Sequence, residues 1–526
     1  MSRIFYTIAI IILSFSCFSQ TWPKIYGDNI DAGPRKVIET YDKGYLIISN
    51  IYISDYYRYI WLIKTDINGE IIWDKKIGEG SYRYYIDDIN QTYDGGYILI
   101  FRCSKYDIDE DPVVMKLNAC AEIEWCTTLH TDGYNRGVKV IQAPDSNYLA
   151  LSMYHSPQPA DRIFLFKLNQ LGEVLWSNLY AQLEPGIFNE EGFDLTIFPN
   201  DSSYLITGTC DYVPTGGLTG FWIKVNSTGE ETANIIWNDT LYEYNSIFET
   251  VHYSDHFCSI GTKGYGLFEH SPTIFKLNNN GDIIDYYRVE NNDTSASADA
   301  IRIFNDTLFV IGARWDDDNP PYQDYCKVFL TDTTGNIIIG RTLANELQSP
   351  RNIEITYDNK ILVLCGFVVG SNWDIYFYKL NQYLEDDTLY NIQLSYDSLC
   401  PGTILSDTMT INCDIWVNID EMFDAEKNSS LLIYPNPARD FIRIEIPNYS
   451  LLESSKNGFQ VTSARPINGE LTLVLYDGFG RQMDEMKIPN NNETINLNTM
   501  GFNAGLYIAV LYNHGKIIAS EKIVIQ

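Results

Sequence analysis

The chain repeats itself with a period of about 50 residues, and that repeat restricts the fold more than any other feature. Its clearest copy is Ile60 to Trp73, IWLIKTDINGEIIW, in which two apolar runs flank the polar turn Asp66-Ile67-Asn68-Gly69, the pattern of a β-hairpin. Later copies run from Val113 to Trp125, Phe164 to Trp176, Phe221 to Trp237 and Thr273 to Asp285, with weaker ones from Lys327 to Ile339 and Tyr376 to Asp387. Their anchors, Lys64, Lys116, Lys167, Lys224, Lys276, Leu330 and Lys379, are spaced 52, 51, 57, 52, 54 and 49 residues.

A second strand-turn-strand motif precedes each anchor by roughly 20 residues and repeats with it. It reads YDKGYLIIS from Tyr41, YDGGYILIF from Tyr93 and YDNKILVLC from Tyr357. Each repeat thus holds four strands, and seven such units predict an all-β chain with a seven-bladed β-propeller over residues 20–394. Thr21 to Gly27 reads as a fourth strand with no first three before it, while the seventh repeat has a degenerate fourth strand after Lys379. Pairing the two would close the ring and remove two exposed sheet edges.

The ends of the chain carry the export signals. Arg3 and the apolar run Ile4 to Phe15 lead to Cys17-Phe18-Ser19-Gln20, the form of a signal peptide over residues 1–19 cleaved between Ser19 and Gln20. A lipoprotein signal with Cys17 lipidated is the rival reading. No later run has the length of a membrane helix, so no transmembrane segment is expected in the mature chain. A formal charge of −32 argues against nucleic acid as a partner, because nucleic-acid affinity rests on cationic phosphate contacts.

Ten cysteines suit an exported chain. A disulfide is expected between Cys400 and Cys413, in a linker over residues 395–430, and Cys120 with Cys126 is a second candidate pair. No GxSxG, HExxH or phosphate loop occurs, and no cysteine-histidine cluster has zinc spacing. His252 and His256, the one close histidine pair, read as packing residues, and the acidic runs Asp107 to Asp111 and Asp316 to Asn319 read as solvated loops. No catalytic residue, metal site or cofactor is expected.

Two stretches resemble known families. Asp66, Gly69 and Trp73, matched by Asn169, Gly172 and Trp176, resemble the tryptophan-docking motif of quinoprotein-like propellers. The resemblance implies a structural role for Trp73, Trp125, Trp176 and Trp237, each stacking on a neighbouring blade; the copies from the fourth onward depart from the motif. A quinone-dependent dehydrogenase of that family often carries an adjacent cysteine pair, which is missing here, and the sialidase Asp-box has a different aromatic register. From residue 431 to 526 the period gives way to alternating strands with turns at Pro435-Asn436-Pro437 and Asp477-Gly478, predicting a small β-sandwich. Tyr434, Pro435, Asn436, Pro437, then Asp477, Gly480 and Arg481, then Gly505, Leu506 and Tyr507, and finally Lys522 resemble the type A C-terminal sorting domain of the type IX secretion system. This implies the type IX machinery as a partner and delivery through the periplasm to the outer surface or the medium. The propeller is then expected to be a binding or adhesion module for a glycan or protein, or alternatively a hydrolase or lyase of polymeric nutrients with a site built from loops.

Overall fold

The computed structural model describes the chain from residue 21 to 418 and from 432 to 525, less the segments 28–29, 54–56, 80–81, 105–109, 131–133, 156–161, 181–186, 199–201, 213–216, 238–244, 265–269, 290–295, 317–323, 345–349, 370–371, 412, 414, 435–436, 440, 446–470, 478–480, 489–493, 500 and 514–515. It divides into two compact units, Met1–Val417 and Asn418–Gln526. Among the described residues no helix is long and apolar enough to cross a membrane.

The first unit is a seven-bladed β-propeller. Each blade is a meander of four antiparallel strands, here called a to d from the channel outward. In blade 1 these are Asp31–Glu39, Tyr45–Tyr52, Arg58–Thr65 and Ile71–Ile77. The a strands of blades 2 to 7 are Arg83–Gln91, Tyr134–Gln142, Ile187–Ile197, Asn245–Tyr253, Ala296–Phe304 and Asn352–Ile355. Strands b and c are covered on both sides by neighbouring blades, which is why Tyr45–Tyr52 is almost wholly buried and reads as a continuous rather than an alternating apolar run. Leu46, Ile48 and Leu62 of blade 1 share one core with Ile86, Ile89 and Leu99 of blade 2. One-residue parallel bridges, Arg58 to Arg83 and Glu110 to Tyr134, join the first three blades at their a and c strands.

The ring closes as the repeat phase predicts. Strand d of blade 7 is Lys24–Tyr26, paired antiparallel with Asn372–Leu380 so that Lys24 faces Phe377 and Tyr26 faces Ile375. The Trp22 ring meets Phe377 edge-on at 5.3 Å. The a–b and c–d turns lie on one face of the disc, here the turn face, and the b–c and d–a connections lie on the other, the loop face.

The cysteine expectation is corrected. Cys400 bridges Cys120 and Cys413 bridges Cys126. Cys400 and Cys413 cannot meet because the chain between them is extended, with Asp407–Met409 laid parallel against strand d of blade 1. Each cysteine therefore falls opposite one in the second blade's c–d hairpin, with Cα separations of 4.9 and 5.0 Å that suit a disulfide. Nor is this stretch a free linker, since Ile404, Met409, Ile411 and Cys413 pack on the core of blades 1 and 2. It forms a strap over the closure, in which Asp397 accepts from the Trp73 indole at 2.9 Å and Tyr390 exchanges hydrogen bonds with Asn68.

The second unit is a β-sandwich of a three-stranded sheet, with strands Leu432–Tyr434, Phe441–Glu445 and Thr494–Asn498, and a four-stranded sheet, with strands Leu471–Asp477, Gln482–Ile488, Gly505–Asn513 and Lys516–Ile525. Ile442, Ile444, Leu473, Leu475, Ala509, Leu511 and Ile523 form its core.

Candidate functional site

The a strands surround a central channel with cavities of about 540 and 360 Å³, which share Lys139, Ile141, Arg302, Glu354 and Ile355. In blades 1 to 6 strand a carries a β-bulge, and the residue after it occupies one level of the channel: Lys36, Asp88, Lys139, Asp194, Glu249 and Ala300. Asn352 takes the equivalent place in blade 7. These positions are spaced 52, 51, 55, 55, 51 and 52 residues, the same period as the hairpins.

Every blade junction is bonded at this level or within two residues of it along the strand. Lys36 reaches Asp88 at 2.7 Å and Lys139 reaches Asp194 at 2.8 Å. The next junction on uses a carboxylate to accept a backbone N–H of the following strand: Asp88 from Val140 at 3.0 Å, and Asp194 from Thr250 at 2.8 Å. Glu249 accepts from Ile301 at 2.9 Å and pairs with Arg302 at 2.7 Å. Arg302 extends to Glu354 at 3.5 Å, and Asn352 accepts from Val37 at 3.1 Å. Burial opposes charge here, yet Asp194, Asp88 and Glu249 together hold the Lys139 ammonium above its ordinary value, and Lys139 with the Thr250 and Leu195 N–H groups holds Asp194 below the usual carboxylate range. Burial and the nearby Lys139 pull Lys36 down. This ring was not anticipated from sequence, although a charged residue returning within apolar strands at the hairpin period was its visible trace.

The two sequence motifs prove to be halves of one device. The aspartate of the a–b turn clips the lysine of strand c in the same blade: Asp42 to Lys64 at 2.7 Å, Asp94 to Lys116 at 2.9 Å, Asp145 to Lys167 at 2.6 Å and, more loosely, Asp358 to Lys379 at 3.5 Å. Gly44 leaves room for the ammonium, since a Cβ there would stand 2.4 Å from Lys64 Nζ. The turns that carry these aspartates also present tyrosines. Tyr93 and Tyr357 are 70% and 81% exposed, and Tyr41 is 39% exposed with its hydroxyl accepting from Leu399 N–H of the strap. Their backbones are fixed by the next blade's a strand, where Gln91, Gln142 and Glu39 accept from the N–H of Tyr41, Tyr93 and Tyr357 at 2.8, 2.8 and 2.7 Å.

Trp125 lies over the next blade's turn, where its indole donates to Gln170 O at 2.8 Å and a Cβ at Gly172 would be 2.5 Å from the ring. Trp176 stands likewise at Gly229 and Trp22 at Gly69. Trp73 is buried with Ala121 in the core of blades 1 and 2, and Trp237 packs on Phe275 and Tyr286 of blade 5. His252 rests on Phe257 at 4.8 Å, and His256 bonds Asp255 at 2.9 Å. Among the described residues no group of three or more His, Cys, Asp or Glu is placed to hold a metal. Ser19, Gln20 and the acidic runs at 107–109 and 317–319 lie outside the described residues.

In the C-terminal unit, Asp477 forms a closed clamp with Arg481, accepting from its backbone N–H at 3.0 Å and its guanidinium at 2.7 and 2.8 Å. Gly505, Leu506 and Tyr507 open a strand paired with the last one, on which Lys522 faces Ile508. Tyr507 is buried and donates to Asn503 O at 2.9 Å, whereas Leu506 and Pro437 are exposed. Tyr434 ends the first strand; Pro435, Asn436 and Gly480 lie outside the described residues. Residues 432–526 match the family described as the secretion system C-terminal sorting domain. This unit is a type IX sorting domain. A chain with a type IX sorting domain is exported, and is either secreted or attached to the cell surface, with the secretion machinery as its partner.

No curated protein matches the chain in sequence. Solved structures similar to it include Drosophila Plexin A in complex with Semaphorin 1b, at 8% identity and a TM-score of 0.41 over 68% of this chain and 86% of that one. Drosophila Semaphorin 1a, extracellular domains 1–2, is 10% identical with a TM-score of 0.43 over 69% and 88%. An ulvan lyase from a new family of polysaccharide lyases is 9% identical with a TM-score of 0.43 over 68% and 96%.

Proposed function

We propose that the chain is a recognition protein, exported through its type IX sorting domain, whose propeller offers one face to a glycan or protein outside the cell. The observation that carries this reading is the channel ring. The acids and bases of the ring at the level of Lys36, Asp88, Lys139, Asp194 and Glu249 are bonded from blade to blade, and with Arg302, Glu354 and Asn352 they span all seven junctions, so this ring holds the disc together instead of standing ready for proton transfer. A rigid disc with aromatic side chains on clamped turns suits binding, because little order has to be gained when a ligand arrives.

The test uses the purified mature chain against panels of polysaccharides and surface proteins, with released reducing ends and peptides measured in the same mixtures. Binding without turnover is expected. Turnover that survives purification and stops on substituting a channel residue would establish the hydrolase or lyase reading instead.

A further inference from the structure

The loop-face mouth of the channel gathers arginines within a chain of net charge −32. Arg35 is the bulge residue of strand a in blade 1, Arg351 immediately precedes strand a in blade 7, and Asp87 and Asp299 are the bulge residues of blades 2 and 6. The guanidinium of Arg58 lies 4.6 Å from the ring centre of Tyr52 and 4.3 Å from that of Tyr85, and Arg102 lies 4.5 Å from the same Tyr85 ring. Arg102 pairs with Glu110 at 3.0 Å and Arg136 with Glu191 at 3.2 Å. Arg35, Arg102 and Arg136 all act electrostatically on Asp87, while Arg35 and Arg314 act on Arg351. One arc therefore runs through blades 6, 7, 1, 2 and 3. Six arginines gather there, with Asp87, Asp299, Glu110 and Glu191 among them.

The arc also has unused hydrogen-bonding capacity. Arg58 Nε, Arg102 Nε and Asp87 Oδ2 are buried without a hydrogen-bond partner. Leaving such atoms unpaired is costly, and an arriving anion with two coplanar oxygens satisfies guanidinium donors in pairs. Burial pushes the Asp87 carboxyl up to about 6 despite Arg102, Arg35 and Arg136. Burial, with Arg35 and Arg314 nearby, pulls the Arg351 guanidinium below its ordinary value.

We infer that this mouth binds an acidic glycan, whose carboxylate or sulfate groups seat against Arg58, Arg35 and Arg351. The inference rests on the reading of the propeller as a recognition module and adds its site and ligand class. A glycan is favoured over a nucleic acid because the chain as a whole is acidic, with a formal charge of −32, and the site is a few arginines rather than the extended basic surface that nucleic-acid affinity draws on. Tyr134, half exposed at the rim and hydrogen-bonded to Glu110, offers a ring against which a sugar face can pack.

The experiment titrates the mature chain with a polyuronate, a sulfated dextran, uncharged dextran and single-stranded DNA, following binding by calorimetry at two salt concentrations. Binding of at least one acidic glycan, weakened by salt, is expected, and whether the polyuronate or the sulfated dextran binds identifies the carboxylate or the sulfate as the group recognised. The double substitution Arg58→Gln with Arg351→Gln should weaken that binding at least about tenfold, the loss expected of charge-assisted hydrogen bonds. Arg58→Lys should restore only part of it, and Tyr93→Ala on the opposite face none of the loss. Should the double variant fail to fold, Arg35→Gln alone carries the comparison. Failure of both acidic polymers to bind, equal binding of uncharged dextran or DNA, or indifference to the arginine substitutions would each overturn the site. Binding of another glycan or a protein that ignores these arginines would leave the recognition reading standing. Depolymerisation of the polyuronate that depends on them would do the reverse.

Discussion

Lys64 is among the most deeply buried side chains in the propeller, and its charge is tolerated because Asp42 Oδ1 and Thr40 Oγ1 both lie within hydrogen-bond distance. Replacing it with methionine would strand the Asp42 carboxylate, and a loss of about 3–5 kcal/mol is expected in chemical denaturation. Blade 6 shows that the lysine itself is dispensable, because Leu330 takes its place there and is simply buried. Lys64→Met combined with Asp42→Ser should therefore recover part of the loss, and a double variant no better than the single one would refute the account. The clips also have a sign in pH. Burial raises the aspartates of all four turns, but their lysines, together with hydrogen bonds from the turn, outweigh it and leave Asp42, Asp94, Asp145 and Asp358 below the ordinary carboxylate value. The stability they contribute is complete above the unfolded value near pH 4 and drains away as pH falls below it, so the melting temperature should drop on acidification through that range. The lysines and aspartates were legible as repeated letters, but their pairing was not. They are about 22 residues apart in sequence, and only the fold of each meander brings turn and strand together.

At the level of elements, the repeat showed the strands, the blade count and the closing role of Thr21 to Gly27, because period and polar turns are local properties of sequence. The strap was not legible. Residues 395–413 have the composition of a linker, and nothing local tells that Asp407–Met409 will be read as a strand by the outer edge of blade 1. Nor did cysteine spacing help, since the partners of Cys400 and Cys413 lie 280 and 287 residues upstream. The strap gives a direct expectation for truncation. A chain ending at residue 417 keeps both disulfides, whereas one ending at 394 loses them and uncovers the core on which Met409 and Ile411 pack. The shorter chain should be less stable by at least about 2–5 kcal/mol, and equal melting temperatures for the two would show the strap to be ornamental.

Across the whole molecule, the arginine mouth was the least legible feature. Its members come from five blades and from strands a, b and c, so no window of sequence contains more than a fraction of it. The sorting domain stood at the other extreme, because its motifs are short and contiguous. The pairing of Lys24–Tyr26 with Asn372–Leu380 has a further consequence in time. The strand that seals the ring is the first of the propeller to be synthesised, and its partner follows some 350 residues later, so the disc cannot be complete until almost the whole propeller has been made. The sorting domain follows about fifty residues after that partner. The address label thus emerges only after the last blade, and a secretion machine that waits for the label is offered a cargo whose circle already has both of its ends.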